Sequence, residues 1–246
     1  MKRTLLCLIS CCLMTLVWAG AASAQELSLS LGEGGSISAR SIQLILLITV
    51  LSIAPGLAIM ITCFPFLVTV LSILRQGIGL QQSPPNMLIV SLAMFLTYFV
   101  MEPVFLDAWE LGIKPMMDET MAVEPAMIRA VQPFKAFMAA RIDPDTFQAM
   151  AALRPGAEIQ DLSPDANLSI LMPSFMLSEV SRAFQIGFLV FLPFLVIDLV
   201  VAAVLMSMGM MMVPPATVSL PFKLAFFVVA DGWSLIASAL VRSYAS

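Results

Sequence analysis

Glu179, Arg182, Asp198, Lys223 and Asp231 are ionisable side chains set within or beside long apolar runs. A charge at membrane depth is costly, so such groups pair, face a pore or take part in chemistry. The chemistry open to them is narrow. The chain has no histidine, which removes a Ser-His-Asp triad, a histidine metal site and a histidine proton relay. An intramembrane hydrolase would have to use Asp198 and Asp231 as an aspartyl pair, and neither Glu102-Pro103 nor Asp231-Gly232 supplies the company such a site needs. The expectation is therefore no enzyme, with no catalytic, cofactor-binding or metal-ligating residue. Pairing is the better use of these charges. Glu179 and Arg182 are three apart and can meet along one helix. Lys223 and Asp231 are eight apart, about 12 Å along a helix and too far for contact. Lys223 then seeks Glu179 or Asp198, in its own chain or a neighbour, or snorkels to an interface.

Met210, Met211 and Met212 are followed by Val213, Pro214 and Pro215. Methionine alone reads as adaptable core filler. Two prolines directly after the run should end a helix, leaving three long apolar side chains on a turn that cannot sit in bare lipid. Gly77, Gly79 and Gly187 suit close helix contacts or turns. None of these residues carries a reaction.

The segments that must hold them are apolar. Of 246 residues, 60% are hydrophobic and 11% charged, against about 25% charged in soluble domains. No charge occurs from 41 to 74 or from 76 to 101, and only Asp198 lies between Arg182 and Lys223. The stretch 107–165 holds ten acids and five bases. A membrane part thus surrounds a polar insert. The net charge of −4 gives no basic footprint for nucleic acid.

Residues 1–24 have the layout of a cleaved signal peptide: Lys2 and Arg3, an apolar core, then Ala22-Ser23-Ala24 before Gln25. The rival readings are a lipid on Cys11, for which the preceding apolar run is short, and an uncleaved anchor. Cys7, Cys11 and Cys12 would leave with the leader, so only Cys63 remains and no internal disulfide can form. Residues 25–41 read as a flexible lead-in around Gly32 to Gly35.

Four apolar segments follow, at 42–74, 86–101, 183–206 and 210–240. The first, third and fourth exceed the roughly 20 residues a span needs, and the second is marginal. The expected organisation is an all-α membrane protein of broken helical hairpins: a first hairpin at 42–106, a mainly helical extracytoplasmic insert at 107–182, and a second hairpin at 183–246. An outside N-terminus places 75–85 inside, consistent with Arg75 there and acids in the insert. Pro55, Pro65, Pro193, Pro214, Pro215 and Pro221 should interrupt the segments, which favours broken helices packed against partner subunits. Within the insert, Pro125 marks a helix start, and Asp143-Pro144 and Ser163-Pro164 mark turns or starts.

Two stretches carry a family resemblance. Pro173-Ser174-Phe175-Met176-Leu177-Ser178-Glu179-Val180-Ser181-Arg182-Ala183-Phe184-Gln185-Ile186-Gly187-Phe188 resembles the first signature of the FliP/SctR family. Pro221-Phe222-Lys223-Leu224-Ala225-Phe226-Phe227-Val228-Val229-Ala230-Asp231-Gly232-Trp233 resembles the second. Ser174 and Val180 depart conservatively from the usual alanine and leucine or isoleucine. The order of leader, paired apolar segments, insert and paired segments also matches, so the resemblance spans essentially the whole chain. It implies a core subunit of the flagellar type III protein-export gate in the bacterial inner membrane, or its injectisome counterpart. It also implies a homo-oligomer, expected to be a pentamer, assembled with FliQ and FliR homologues and other export-apparatus proteins around a path for unfolded substrates. Met210, Met211 and Met212 would then form a pore gasket. Because the signatures hold both Glu179 and Lys223, the resemblance favours these two as a structural charge pair. A small ion channel or secondary transporter is the rival class, against which stand the few spans and the absence of a visible inverted repeat.

Overall fold

A computed structural model describes residues 37–80, 84–154, 161–210 and 212–245. The expected leader and most of the lead-in lie outside the described residues, as does Met211. Every described element is helical: α1 Ile37–Met60, α2 Phe64–Ile78, α3 Asn86–Ala108, a π-helical turn Trp109–Ile113, α4 Lys114–Met117, α5 Val123–Arg141, α6 Pro144–Ala152, α7 Leu168–Ser207, α8 Pro215–Val229 and α9 Gly232–Ala245. The chain divides into two compact units, 1–51 and 52–246. In the first, residues 41–51 of α1 are exposed throughout.

The second unit is built on α2. Phe66, Leu67, Val70, Leu71, Leu74 and Ile78 are all buried. They form one core with Ile89, Ala93 and Met101 of α3, Ala183 and Phe194 of α7, Phe227 of α8, and Ile236 and Leu240 of α9. Glycine lets α2 and α7 approach closely. A Cβ on Gly187 would lie 2.4 Å from Ile73, and one on Gly77 would lie 3.0 Å from the rings of Phe191 and Phe194. A second core sits under the insert, where Met138, Ile142 and Phe147 meet Ile170, Leu171 and Phe175 of α7. Helix α7, 40 residues long, therefore serves both cores.

Three helical runs are long and apolar enough to cross a membrane: Ser41–Met60, Asn86–Met117 and Leu168–Ser207. Helices α8 and α9 pass the same test together but bend by 61° at their junction. The helix bounds do not coincide with the apolar runs. The segment 42–74 is two helices, and α2 is a short buried one. The marginal second segment continues through Pro103 to Met117, and the division at 182 falls inside α7.

Three of the six prolines fall at breaks between helices, as expected, and three do not. Pro65 and Pro215 sit in the first turns of α2 and α8, and Pro214 is the N-cap of α8. Pro55, Pro193 and Pro221 lie inside continuous helices. A proline deletes one backbone bond, while leaving the helix in apolar surroundings would orphan many. Helix wins. Pro125 falls two residues after the start of α5. Asp143 caps α6 as expected, accepting from the Thr146 N–H at 2.9 Å and from its hydroxyl at 2.8 Å, with Pro144 next. The Ser163 carbonyl accepts from Ala166 N–H at 3.1 Å to close the other turn.

Candidate functional site

The five charges fall into two clusters and one isolated position. Glu179, on the second-core side of α7, is wholly enclosed (0% exposed). Arg141, at the end of α5, donates from Nε to Glu179 Oε1 at 3.1 Å. Arg182 brings Nη1 to 3.5 Å of the same oxygen, within ion-pair range without a hydrogen bond. The Tyr244 hydroxyl, near the end of α9, donates to Glu179 Oε2. The Arg141 guanidinium lies 4.0 Å from the centroid of the Tyr244 ring, and its Nη1 donates to the Ser243 carbonyl at 2.7 Å. One carboxylate thus joins the insert, α7 and α9.

Lys223 belongs to the other cluster. Its Nζ donates to Asp198 Oδ2 at 2.7 Å and to the Gly77 carbonyl at 3.1 Å. Ser219, one turn before Lys223, donates to Asp198 Oδ1 at 2.5 Å. Helix α8 is thereby pinned to α7 and to the last turn of α2, where a cation also complements the helix dipole. The pair expected between Glu179 and Lys223 is not formed within the chain. Each has a nearer partner: α7 carries Asp198 opposite Lys223, and the insert delivers Arg141 to Glu179. The local Glu179–Arg182 contact is present beside it.

Asp231 stands apart, exposed at the bend between α8 and α9 with φ of +46°. This is a left-handed conformation that aspartate tolerates better than most residues. Gly232 follows it, where a Cβ would lie 2.2 Å from the Phe227 ring. The second signature therefore encodes the bend itself.

The methionine turn is shaped by its backbone. Helix α7 ends at Ser207, with Gly209 in the left-handed region at φ +74°. Gly209 N–H donates to Met206 and Met210 N–H to Leu205, both at 3.0 Å, a Schellman arrangement that satisfies two terminal carbonyls. This corrects the expectation that Pro214 and Pro215 end the helix: glycine ends it, and the prolines begin the next. Met212 is 99% exposed and Met210 42% exposed. Met208 and Met210 border an apolar groove of about 560 Å³, lined also by Val204, Leu205, Val218 and Phe222.

Sequence reasoning missed Arg141, Ser219, Tyr244 and Gly209. Ser219 precedes Lys223 by four residues and shares its helix face, so its spacing was a usable signal. Gly209 had the position of a helix stop. Arg141 and Tyr244 lie 38 and 65 residues from Glu179, and no local pattern points to them. Among the described residues, no group of three or more His, Cys, Asp or Glu side chains could hold a metal ion.

Long apolar helices tied by buried ion pairs define an all-α membrane-type protein whose charges hold broken spans together. The sequence profile of the FliP family matches residues 47–240, covering both signatures and the described second unit up to Leu240. Flagellar biosynthetic protein FliP of Caulobacter vibrioides is 47% identical over 98% of this chain and 89% of its own length. Its namesakes from Bacillus subtilis and Aquifex aeolicus are 43% and 41% identical, over 83% and 89% of this chain and 92% and 91% of theirs. The chain belongs to the FliP family.

Proposed function

We infer that this protein is a core subunit of the flagellar type III protein-export gate, acting in flagellum assembly by helping to form the passage for unfolded substrates. The observation that carries the reading is the family match across 47–240, with relatives named for flagellar biosynthesis over nearly the whole chain. The flagellar names among the relatives favour this reading over the injectisome counterpart. The exposed apolar faces of α3 and α7 support a chain that meets lipid or partner subunits on most sides.

Several finer statements belong to the same reading. The chain works as a homo-oligomer with FliQ and FliR homologues, in the inner membrane, after loss of residues 1–24. Met210, Met211 and Met212 line the closed passage as a deformable apolar seal. Support for the seal is the exposure of Met210 and Met212 on a turn fixed by backbone hydrogen bonds, where they are not needed as core filler. A dewetted apolar constriction excludes ions yet yields to a passing chain.

The test replaces all three methionines with alanine and measures complex yield and membrane conductance on the same variant. A seal predicts normal assembly with an ion leak. Core filler predicts lost yield without a leak, at roughly 2–5 kcal/mol per buried methionine. An assembled, ion-tight variant removes the seal. Electron microscopy of the purified complex checks the broader reading, which fails if the particle has no ring around a central channel.

A further inference from the structure

Helix α9 has few anchors. Ile236 and Leu240 enter the hairpin core, and the bend at Asp231 fixes one end. The other end is held by Tyr244. Its ring meets Phe66 of α2 edge-on at 5.5 Å and stacks on Phe137 of α5 at 5.9 Å and 14°. Arg141 covers the ring at 4.0 Å, and the hydroxyl donates to Glu179. Arg141 also holds the Ser243 carbonyl.

The same arginine thus grips the end of α9 twice while its Nε holds the enclosed carboxylate. Cation–π contact and charge-assisted hydrogen bonds both gain strength away from water. Apart from Phe66 and the hairpin core it belongs to, the partners named here come from the insert or from the α7 turn that carries Glu179.

We propose that the last turn of α9 is a latch that couples the polar insert to the bent final span, with Arg141 and Tyr244 as positioning residues for Glu179. While docked, the insert and α9 move as one body. When undocked, α9 is held by its bend, by the edge-on contact of Trp233 with Phe227 at 5.3 Å and by two core side chains, and the insert is freed from it. The coupling is reciprocal by thermodynamic necessity, because loosening either side weakens the same shared contact.

Hydrogen exchange on the full chain in lipid nanodiscs tests it, comparing Tyr244→Phe, Tyr244→Ala and Arg141→Lys. Tyr244→Phe keeps the ring and removes only the hydroxyl. It should speed amide exchange in the insert at 138–143 by about tenfold, while amides of α2 remain as protected as before. Arg141→Lys, made in the insert, should speed exchange across α9 at 235–243 to a similar degree. Tyr244→Ala should exceed both; if it fails to fold, the two conservative variants decide. Unchanged exchange at the far side of the latch in both conservative variants overturns the coupling. So does an equal rise in every helix, which would mean general destabilisation. The readout does not involve export, so its failure leaves the export-gate reading standing.

Discussion

The carboxylate of Glu179 is wholly enclosed and shared by two guanidiniums and a phenol, whereas the ammonium of Lys223, nearly as enclosed, faces an Asp198 side chain that is 33% exposed. The first cluster joins three segments far apart in sequence and lies against the insert core. The second joins α8 to α7 and to the carbonyl end of α2, and water or a partner subunit can still reach one side of it. Both contain a salt bridge, yet only the first has a wholly enclosed carboxylate; its Arg182, at 34% exposed, is the one member as open to water as Asp198. A buried pair gains little over an apolar replacement, while removal of one member leaves a charge that nothing compensates. The two clusters should therefore respond unequally to the same kind of substitution.

The largest effect is expected for Glu179→Ala, which strands Arg141 and leaves Arg182 beside it. Loss of about 3–5 kcal/mol is expected, read as denaturant unfolding of the purified protein or as a fall in complex yield. A stable, fully assembled variant would break the comparison. Lys223→Ala should cost less, about 1–3 kcal/mol, since the Asp198 it leaves behind is partly solvated. Exchanging the charges, Lys223→Asp with Asp198→Lys, should recover part of that loss. The double variant Glu179→Ala with Lys223→Ala should be additive, because the clusters share no partner. A strong coupling term would instead revive a direct Glu179–Lys223 pair, formed between subunits.

Ser219→Ala sharpens the second cluster by removing one hydrogen bond to Asp198, at about 1 kcal/mol. The smallest effect lies outside both clusters, at Asp143. The backbone N–H of Thr146, and then its hydroxyl, hold the Asp143 carboxyl below its ordinary value of 3.8. A depressed folded pKa contributes stability that is present above the unfolded value and lost as pH falls through the folded one. Acid titration should thus loosen the start of α6 only below about pH 3.8, and Asp143→Ala should abolish that step. An unchanged acid profile would show that the cap carries no such linkage.

The apolar segments and their helical character were legible because hydropathy runs report where water is absent. They did not report what replaces it. The run 42–74 read as one apolar segment, yet residues 42–51 expose their side chains while Phe66, Leu67, Val70, Leu71 and Leu74 of α2 bury theirs. Lipid and protein look alike to a hydropathy scale. The prolines misled for a related reason: Pro55, Pro193 and Pro221 carry a real local penalty, which a water-poor setting overrides. Glu179, Arg182, Asp198 and Lys223 were found because charge is conspicuous in an apolar run. Their pairing was half legible. The three-residue spacing gave Glu179–Arg182, and Asp198 stood as one of two partners for Lys223. The choice needed the fold, which alone brings Arg141 and Tyr244 to Glu179.

The turn between α7 and α8 takes its shape from Gly209, from two backbone hydrogen bonds, and from the prolines that open α8. The side chains of Met210 and Met212 do not build it. Structure and surface chemistry are assigned to different atoms there, so the side chains work like interchangeable bits in a fixed socket. An engineer could seat leucine, norleucine or a photo-crosslinking residue at 210 or 212 and keep the same mount. Replacing Gly209 would change the socket.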